Sequence, residues 1–385
     1  MPKAILIVIA FILLSASLSL SYTGEAGPPM LKMIYGSRAL SLGGAFVGVS
    51  DDVYYIDSNP AGGDVKKITQ ISLLHQEWIE DVNYEALRIS SGFFNKFYLG
   101  LGLTYLYIPF TYYDEYGYDS GAAAFISQAM ATLNFGIKMT KHNLGIGTNF
   151  KVLYNNVPSS LLEARYGNSY EDQNYLVFAT DIGIISRTNL MKRYIGPEPS
   201  LTFGFVLKNL GYSEAIEKLP TELHAGVSYR PFRHLLLAAE AVYPFYEPIY
   251  GSFGVEFDIL QKVFLQGGIQ IKENPMFAVG IGYKRKDMEV NVSYTPSLVF
   301  PNMISVSLNF FLGETETNLR EKKIEAYFVV ALEYFSERRF QDALELVDKV
   351  LELDPKHKRA RSLKETIIKK IKLEESVEKY NNSSN

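Results

Sequence analysis

Phe277-Ala278-Val279-Gly280-Ile281-Gly282-Tyr283 and Ile304-Ser305-Val306-Ser307-Leu308-Asn309-Phe310 alternate without a break. In the first, Phe277, Val279, Ile281 and Tyr283 take turns with Ala278, Gly280 and Gly282. In the second, four large apolar residues take turns with Ser305, Ser307 and Asn309. A strand turns successive side chains to opposite faces, so each stretch has an oily face ending in an aromatic ring and a small or polar face. Leu223–Arg230 repeats the pattern, with Leu223, Ala225, Val227 and Tyr229 against His224, Gly226, Ser228 and Arg230.

The same period, broken by turn residues, runs from about Ile68 to Leu312 and divides into fourteen strands, from 68–76 to 303–312. Most are about 10–13 residues long, the length of a tilted membrane-spanning strand rather than of a soluble one. Tight connections at Asn95–Lys96, Lys141–Asn143, Pro231–Arg233 and Lys286–Asp287 interleave with long ones at 110–122, 156–172 and 210–220. Outer-membrane barrels have short inner turns and longer outer loops. Connections 188–198 and 273–275 break the alternation. Tyr105, Tyr154, Tyr243, Tyr283 and Tyr294 mark strand ends, and such rings favour the membrane–water boundary. A soluble sandwich or propeller would alternate as well. A closed barrel, however, is the only β structure that satisfies every backbone group in lipid. The expectation is a mainly β fold, an antiparallel transmembrane barrel of about fourteen strands over 67–312.

Composition agrees. Among 385 residues there are 27 Tyr and 24 Phe but one Trp, 29 Gly, and 21% charged residues. The chain has no Cys, which excludes a disulfide framework, thiolate catalysis and Cys-held zinc. A net charge of -4 argues against coating nucleic acid. The N-terminus reads as an export signal over residues 1–21. Lys3 precedes the apolar run Ala4–Leu14, and Ser19 and Ser21 are small residues ahead of a cut at Tyr22. An uncleaved anchor is the alternative.

Residues 22–66 do not alternate. They carry Gly36-Ser37-Arg38-Ala39-Leu40-Ser41-Leu42-Gly43-Gly44-Ala45, then Asp51-Asp52, then Asn59-Pro60-Ala61-Gly62. The Gly43–Gly44 pair suits a tight turn, and Pro60 pushes Asn59 out of the helical region. This order of motifs ahead of a barrel resembles the FadL-type outer-membrane proteins. It is closer still to their PorV-like relatives, which include uncharacterised members in spirochaetes and thermophilic bacteria. The resemblance covers residues 22–312. It implies a plug, or hatch, inside the lumen, with Arg38, Gly43, Gly44, Asn59, Pro60 and Ala61 at the matched positions. In FadL-type transporters the hatch helps gate a route for hydrophobic molecules, whereas some PorV-like members act as shuttles in protein secretion. A purely structural role for each residue stands beside that reading, with Arg38 neutralising a carboxylate in the lumen.

The composition changes near Gly313. Residues 313–385 contain 15 basic and 15 acidic residues and one of the glycines. Glu321–Lys372 is helical by period and propensity. Counted from Ile324, it places Tyr327, Val330, Ala331, Tyr334, Ala343, Val347, Val350 and Pro355 at the signature positions of one tetratricopeptide repeat, with Val347 and Val350 the loose fits. Ala331 and Ala343 would let two helices approach, and Asp354-Pro355 would end the second. A third helix over Lys356–Lys372 would cap the pair. An even strand count puts both barrel ends, and so this tail, in the periplasm, where Tyr327, Ala331, Tyr334, Ala343 and Pro355 would face a protein partner.

His75, His142, His224, His234 and His357 show no metal-ligand spacing, and neither a nucleophile elbow nor a phosphate loop occurs. Gly100-Leu101-Gly102 and Gly145-Ile146-Gly147 read as barrel wall. Asp114, Glu115 and Asp119, among tyrosines, read as a solvated outer loop. No enzyme activity, cofactor or metal is expected. The partners expected are outer-membrane lipid, a hydrophobic ligand and a periplasmic protein. The function expected is passage of hydrophobic small molecules across the outer membrane. The alternatives are a PorV-like platform for protein export or envelope assembly, and a structural envelope protein.

Overall fold

Fourteen antiparallel strands form a closed barrel in the computed structural model, each paired with its neighbours in sequence and the last with the first. The structure describes residues 27–63, 68–77, 82–113, 119–139, 143–159, 173–194, 199–214, 218–259, 262–285, 287–296, 302–313, 316–355 and 357–383. The expected export signal, His142 and the acidic residues 114 and 115 lie outside them. The strands are β1 (Thr69–Glu77), β2 (Asn83–Phe93), β3 (Phe97–Tyr113), β4 (Asp119–Met139), β5 (Leu144–Val157), β6 (Gln173–Thr188), β7 (Leu201–Ser213), β8 (Glu222–Phe232), β9 (Leu235–Pro244), β10 (Tyr250–Ile259), β11 (Val263–Ile271), β12 (Met276–Lys284), β13 (Met288–Thr295) and β14 (Met303–Leu312). Thr69 lies opposite Leu312 and Glu77 opposite Ile304, so the ring closes over the full length of β1.

The alternation seen in the sequence is the alternation of the wall. Leu101, Leu103, Leu133, Phe150, Ile182, Phe205, Phe253 and Ile281 point outward and stay about half exposed. Ser72, Thr132, Asn134, Asn149, Ser252, Ser293 and Ser307 point inward and are buried. Outward tyrosines stand near both rims, with Tyr105, Tyr154 and Tyr294 toward one and Tyr229 and Tyr283 toward the other. Two shallow grooves on this outer face, about 720 and 630 Å³, are lined almost wholly by apolar atoms.

β3 and β4 extend further than expected. Tyr113 still pairs with Asp119 across a register shift, so the expected loop 110–122 shrinks to a short connection. Thr111, Tyr112 and Tyr113 are strong strand formers, which favours pairing up to the tip of the hairpin. β7 likewise runs on to Ser213.

The N-terminal segment, described from Gly27, holds only short regular pieces. They are one 3₁₀ turn at Pro29–Leu31, helix α1 (Ser37–Ser41) and helix α2 (Tyr55–Ser58). Glycines with positive φ bound α1, Gly36 at +93° and Gly43 and Gly44 at +66° and +84°. Asn59 is extended (φ -142°, ψ 106°) ahead of Pro60, which ends α2.

The chain divides into two units, one of residues up to Met191 with Pro199–Leu312, the other of Gly313–Asn385 with Lys192–Glu198. The second contains α3 (Glu316–Ser336), α4 (Phe340–Leu353) and α5 (Lys358–Ser383), the last longer than expected. Ala331 and Ala343 are fully buried where α3 meets α4, together with Phe328, Phe340, Val347, Val350, Ala360 and Ile367. Val347 and Val350, poor matches to the repeat signature, are thus at the centre of this small core. Tyr327 and Tyr334 are partly buried against it. α4 ends at Leu353, just ahead of Asp354-Pro355.

Candidate functional site

The inward face of the barrel is where side-chain chemistry converges, because residues 27–63 pack against it. The contact is close enough to require glycine on the strands. A Cβ on Gly147 would lie 2.0 Å from the Pro60 carbonyl oxygen, and one on Gly204 would lie 2.2 Å from that of Val47. One on Gly268 would lie 2.1 Å from the Leu42 carbonyl carbon. Gly183, Gly226, Gly254 and Gly280 meet the segment in the same way. The small inward residues read from sequence as plain wall are therefore the seat of the N-terminal segment.

Polar side chains of the wall satisfy the segment's irregular backbone, as a buried chain without regular structure requires. The Tyr98 hydroxyl and the Asn134 amide donate to the Pro60 carbonyl at 3.0 and 3.2 Å. The Asn149 amide donates to Ile56 O at 2.7 Å, and the Ser228 hydroxyl to Gly48 O at 2.8 Å. The amides of Phe46 and Val47 donate to Glu240 at 3.0 and 2.9 Å. Arg187 donates to the carbonyls of Ser50 and Gly62, both at 3.0 Å.

Of the residues singled out in the sequence, Arg38 is buried on α1 and binds three carboxylates, one on the barrel wall and two within the N-terminal segment. It donates to Glu256 of β10 through Nε (2.6 Å) and a second nitrogen (2.9 Å). It also donates to Asp51 at 2.5 Å and Asp52 at 3.3 Å. The Arg and the acidic pair of the sequence motif thus belong to one cluster. Burial pushes the Asp52 carboxyl up to about 7, Arg38 opposing and Asp51 adding to the rise. Burial acts in the same direction on Asp51, but the Arg38 guanidinium more than offsets it and holds that pKa down at about 2. Gly43 turns the chain against the backbone of Ile269, and Gly44 lies beside Ile34. Asn59 is fully buried. Its amide donates to Val47 O and Ile184 O, both at 3.2 Å, and its side-chain oxygen accepts from Ala61 N at 3.0 Å. Pro60 and Ala61 present their carbonyls to the wall beside Gly147 and Gly145.

Other members of the site escaped sequence reading. Arg88 of β2 is completely buried and grips Asp57 of α2 with two 2.8 Å hydrogen bonds. Lys151 of β5 pairs with Asp181 of β6 at 2.7 Å. His224 of β8 lies between Glu240 and Glu222, at 2.8 and 2.9 Å, beside a polar cavity of about 60 Å³ that Lys208, Tyr250 and Gln270 also line. One signal was available: Arg88, Lys151, Asp181, Glu240 and Glu256 are charged residues at inward positions in mid-strand, where the other inward positions are mostly small or uncharged. Among the described residues no three His, Asp or Glu side chains converge as a metal site. The arrangement binds and orients a backbone segment.

Two proteins of Treponema pallidum, both described as UPF0164 protein, are similar in sequence. One is 24% identical over 345 residues, covering 83% of this chain and 78% of the relative. The other is 21% identical, covering 83% and 70%. Similar solved structures include the Pseudomonas putida toluene transporter TodX, at 11% identity and a TM-score of 0.48, covering 72% of this chain and 97% of the other. A Pseudomonas aeruginosa FadL homologue is similar at 10% identity and a TM-score of 0.44, covering 72% and 99%. The profile of an uncharacterised protein family, UPF0164, matches residues 22–315, and the chain belongs to that family.

Proposed function

We propose that the chain is an outer-membrane barrel with a plugged lumen that passes small hydrophobic molecules. The observation that carries this reading is the pairing of a lipid-compatible exterior with a filled interior. An outward face of half-exposed Leu, Ile, Val and Phe is costly in water and suited to a bilayer, and tyrosines at both rims suit its interfaces. Inside, residues 27–63 seat on the wall through glycine contacts and buried hydrogen bonds. Arg38, Gly43, Gly44, Asn59, Pro60 and Ala61 are, on this reading, residues that hold a hatch. Leu74, Tyr84, Leu106, Leu153 and Val177 face inward near the rim that carries the β3–β4 connection, and they pack with Met30, Leu31, Tyr35 and Ile56. An apolar inner wall over β1–β6 suits a hydrophobic solute.

The division proposed is an export signal at 1–21, a hatch at 22–66, a barrel at 67–312 and a helical unit at 313–385. β1 begins and β14 ends at the rim with the tight turns, which is the periplasmic rim of an outer-membrane barrel. A second reading, a PorV-like platform for export or assembly, rests on α3–α5. These helices have a core of their own, with Ala331 and Ala343 at the crossing as a tetratricopeptide repeat requires. In it, Tyr327, Tyr334 and Pro355 border a surface for a periplasmic protein.

Uptake of a hydrophobic fluorophore into proteoliposomes tests the first reading. Deleting Gly24–Gly63 should raise uptake while the barrel keeps its heat-modifiable migration on gels. Unchanged uptake through a properly inserted deletion variant would sink the hatch. A protein that stays soluble without detergent would sink the barrel.

A further inference from the structure

The two sides of the inner wall treat the N-terminal segment differently. Toward β3–β9 its backbone is held by Tyr98, Asn134, Asn149, Ser228 and Glu240. Toward β11–β14 it presents α1, which packs chiefly on β12 and β13. Beneath and beside α1 the wall is polar, and several of its oxygens lack partners among the described residues. Asn291 Oδ1, Ser293 Oγ and Thr295 Oγ1 of β13, and Ser307 Oγ and Asn309 Oδ1 of β14, are buried and accept or donate no hydrogen bond. All five residues are at most 3% exposed. Registry joins them into one strip, Asn291 opposite Ser307 and Glu289 opposite Asn309. From Glu289 to Thr295 the strip runs about 20 Å along the barrel at roughly 3.3 Å per residue.

Buried polar atoms are almost always paired, and an unpaired one favours any state in which water reaches it. The helix that covers this strip gives it little in return. Ser37 meets Ser305 at 2.9 Å, but the Ser41 hydroxyl turns back to the Ser37 carbonyl. α1 is bounded at both ends by positive-φ glycines, Gly36 and Gly43–Gly44, the backbone positions that most readily reorient. Arg38 ties α1 to β10, the strand next to this half of the wall, by a two-point contact with Glu256.

We propose that α1 is a movable gate within the hatch, latched by Arg38–Glu256. When it withdraws, the β13–β14 strip becomes the wall of a water-filled path for small uncharged polar solutes. The hydroxyl and amide oxygens then hydrogen-bond to water and solute, along a route chemically distinct from the apolar wall over β1–β6. This rests on the reading of residues 27–63 as a plug.

Liposome swelling driven by arabinose tests it, with full-length protein checked for insertion by heat-modifiable migration. Arg38→Ala should raise the swelling rate above that of the native protein. Glu256→Gln, which keeps the side chain's shape, should do the same and serves if Arg38→Ala fails to insert. In the Arg38→Ala background, Ser37→Cys with Ser305→Cys, bridged as a disulfide by oxidation, should return swelling to the native rate. Cleaving the bridge with a reductant should restore it; the chain has no other cysteine to interfere. Ser293→Leu with Ser307→Leu should abolish the rise without any crosslink. If deletion of Gly24–Gly63 raises swelling but neither latch variant does, the gate is wrong and the plug stands. If a latch variant raises swelling and neither the bridge nor the leucine pair reduces it, the path lies elsewhere and the inference is overturned. If the deletion also leaves swelling unchanged, the plug fails and the gate with it.

Discussion

Replacing Asp57 by Asn isolates a buried guanidinium. Arg88 is 0% exposed and makes five hydrogen bonds. Two go to Asp57, and three to the wall itself, at Leu87 O, Leu103 O and Thr104 Oγ1. The three wall bonds keep Arg88 inside after the substitution, so it cannot escape to water, and its charge loses the carboxylate it pairs with. Removing one member of such a pair costs about 3–5 kcal/mol. Because Asp57 is on the N-terminal segment and Arg88 on β2, that cost falls on the contact between segment and wall. Hydrogen exchange at the amides of Asn59 and Gly62, which donate within the segment at 2.9 and 2.8 Å, reads the change locally. Protection there should fall roughly 10²- to 10³-fold, since every 1.4 kcal/mol is about tenfold. Amides of β9–β11 should be unaffected. Asp57→Leu with Arg88→Met, which removes both charges, should recover most of the protection. A loss under about tenfold, or no recovery in the double variant, would refute the claim that this pair fastens the segment.

Gly147→Val places a side chain on the Pro60 carbonyl and should loosen the segment by about 1–3 kcal/mol, seen as faster proteolysis near residue 60 in an intact barrel. Asp52 binds its proton more tightly in the folded protein, with a pKa of about 7. Segment stability should therefore decline as pH rises from about 4 to 7, because the unfolded carboxyl, at about 3.9, is already ionised there. Asp52→Asn should flatten that slope in pH-dependent exchange; an unchanged slope would exclude Asp52 as its source. In the helical unit, Ala343→Trp overpacks the α3–α4 crossing by about 1–3 kcal/mol, and limited proteolysis should then release fragments beyond Gly313 while the barrel stays protected. A resistant helical unit would show that Ala343 is not in a tight contact.

The strands were legible because one face is buried and packed with small or polar residues while the other is apolar and exposed, which imposes a period of two, and fourteen were readable between Ile68 and Leu312. The β3–β4 extension was not, since Tyr112 and Tyr113 beside acidic residues look equally like a loop and a strand tip. The motif around Arg38 was visible as residues, with a lumen carboxylate as one reading of its partner, but Glu256 is far along the chain and nothing local points to it. The same holds for Asp57 and Arg88. Inward glycines such as Gly145 and Gly147 read as plain wall, because only the path of residues 60 and 61 explains why a methyl group has no room. In the tail, matching to a repeat picked out Ala331 and Ala343 but passed over Phe328 and Phe340, which signature positions do not include.

The pairing of β1 with β14 has a consequence for assembly. The ring cannot close until the last strand is available, whereas the segment that lies inside precedes every strand in the chain. Contacts between chain ends are the slowest to form, since the whole intervening polymer must be ordered before they are rewarded. During that interval the nascent sheet is open, and its inward glycines and unpaired edges are accessible. The early segment can then act as a mandrel, offering each arriving strand a surface of the right curvature and shortening the time that bare edges stay exposed to other chains.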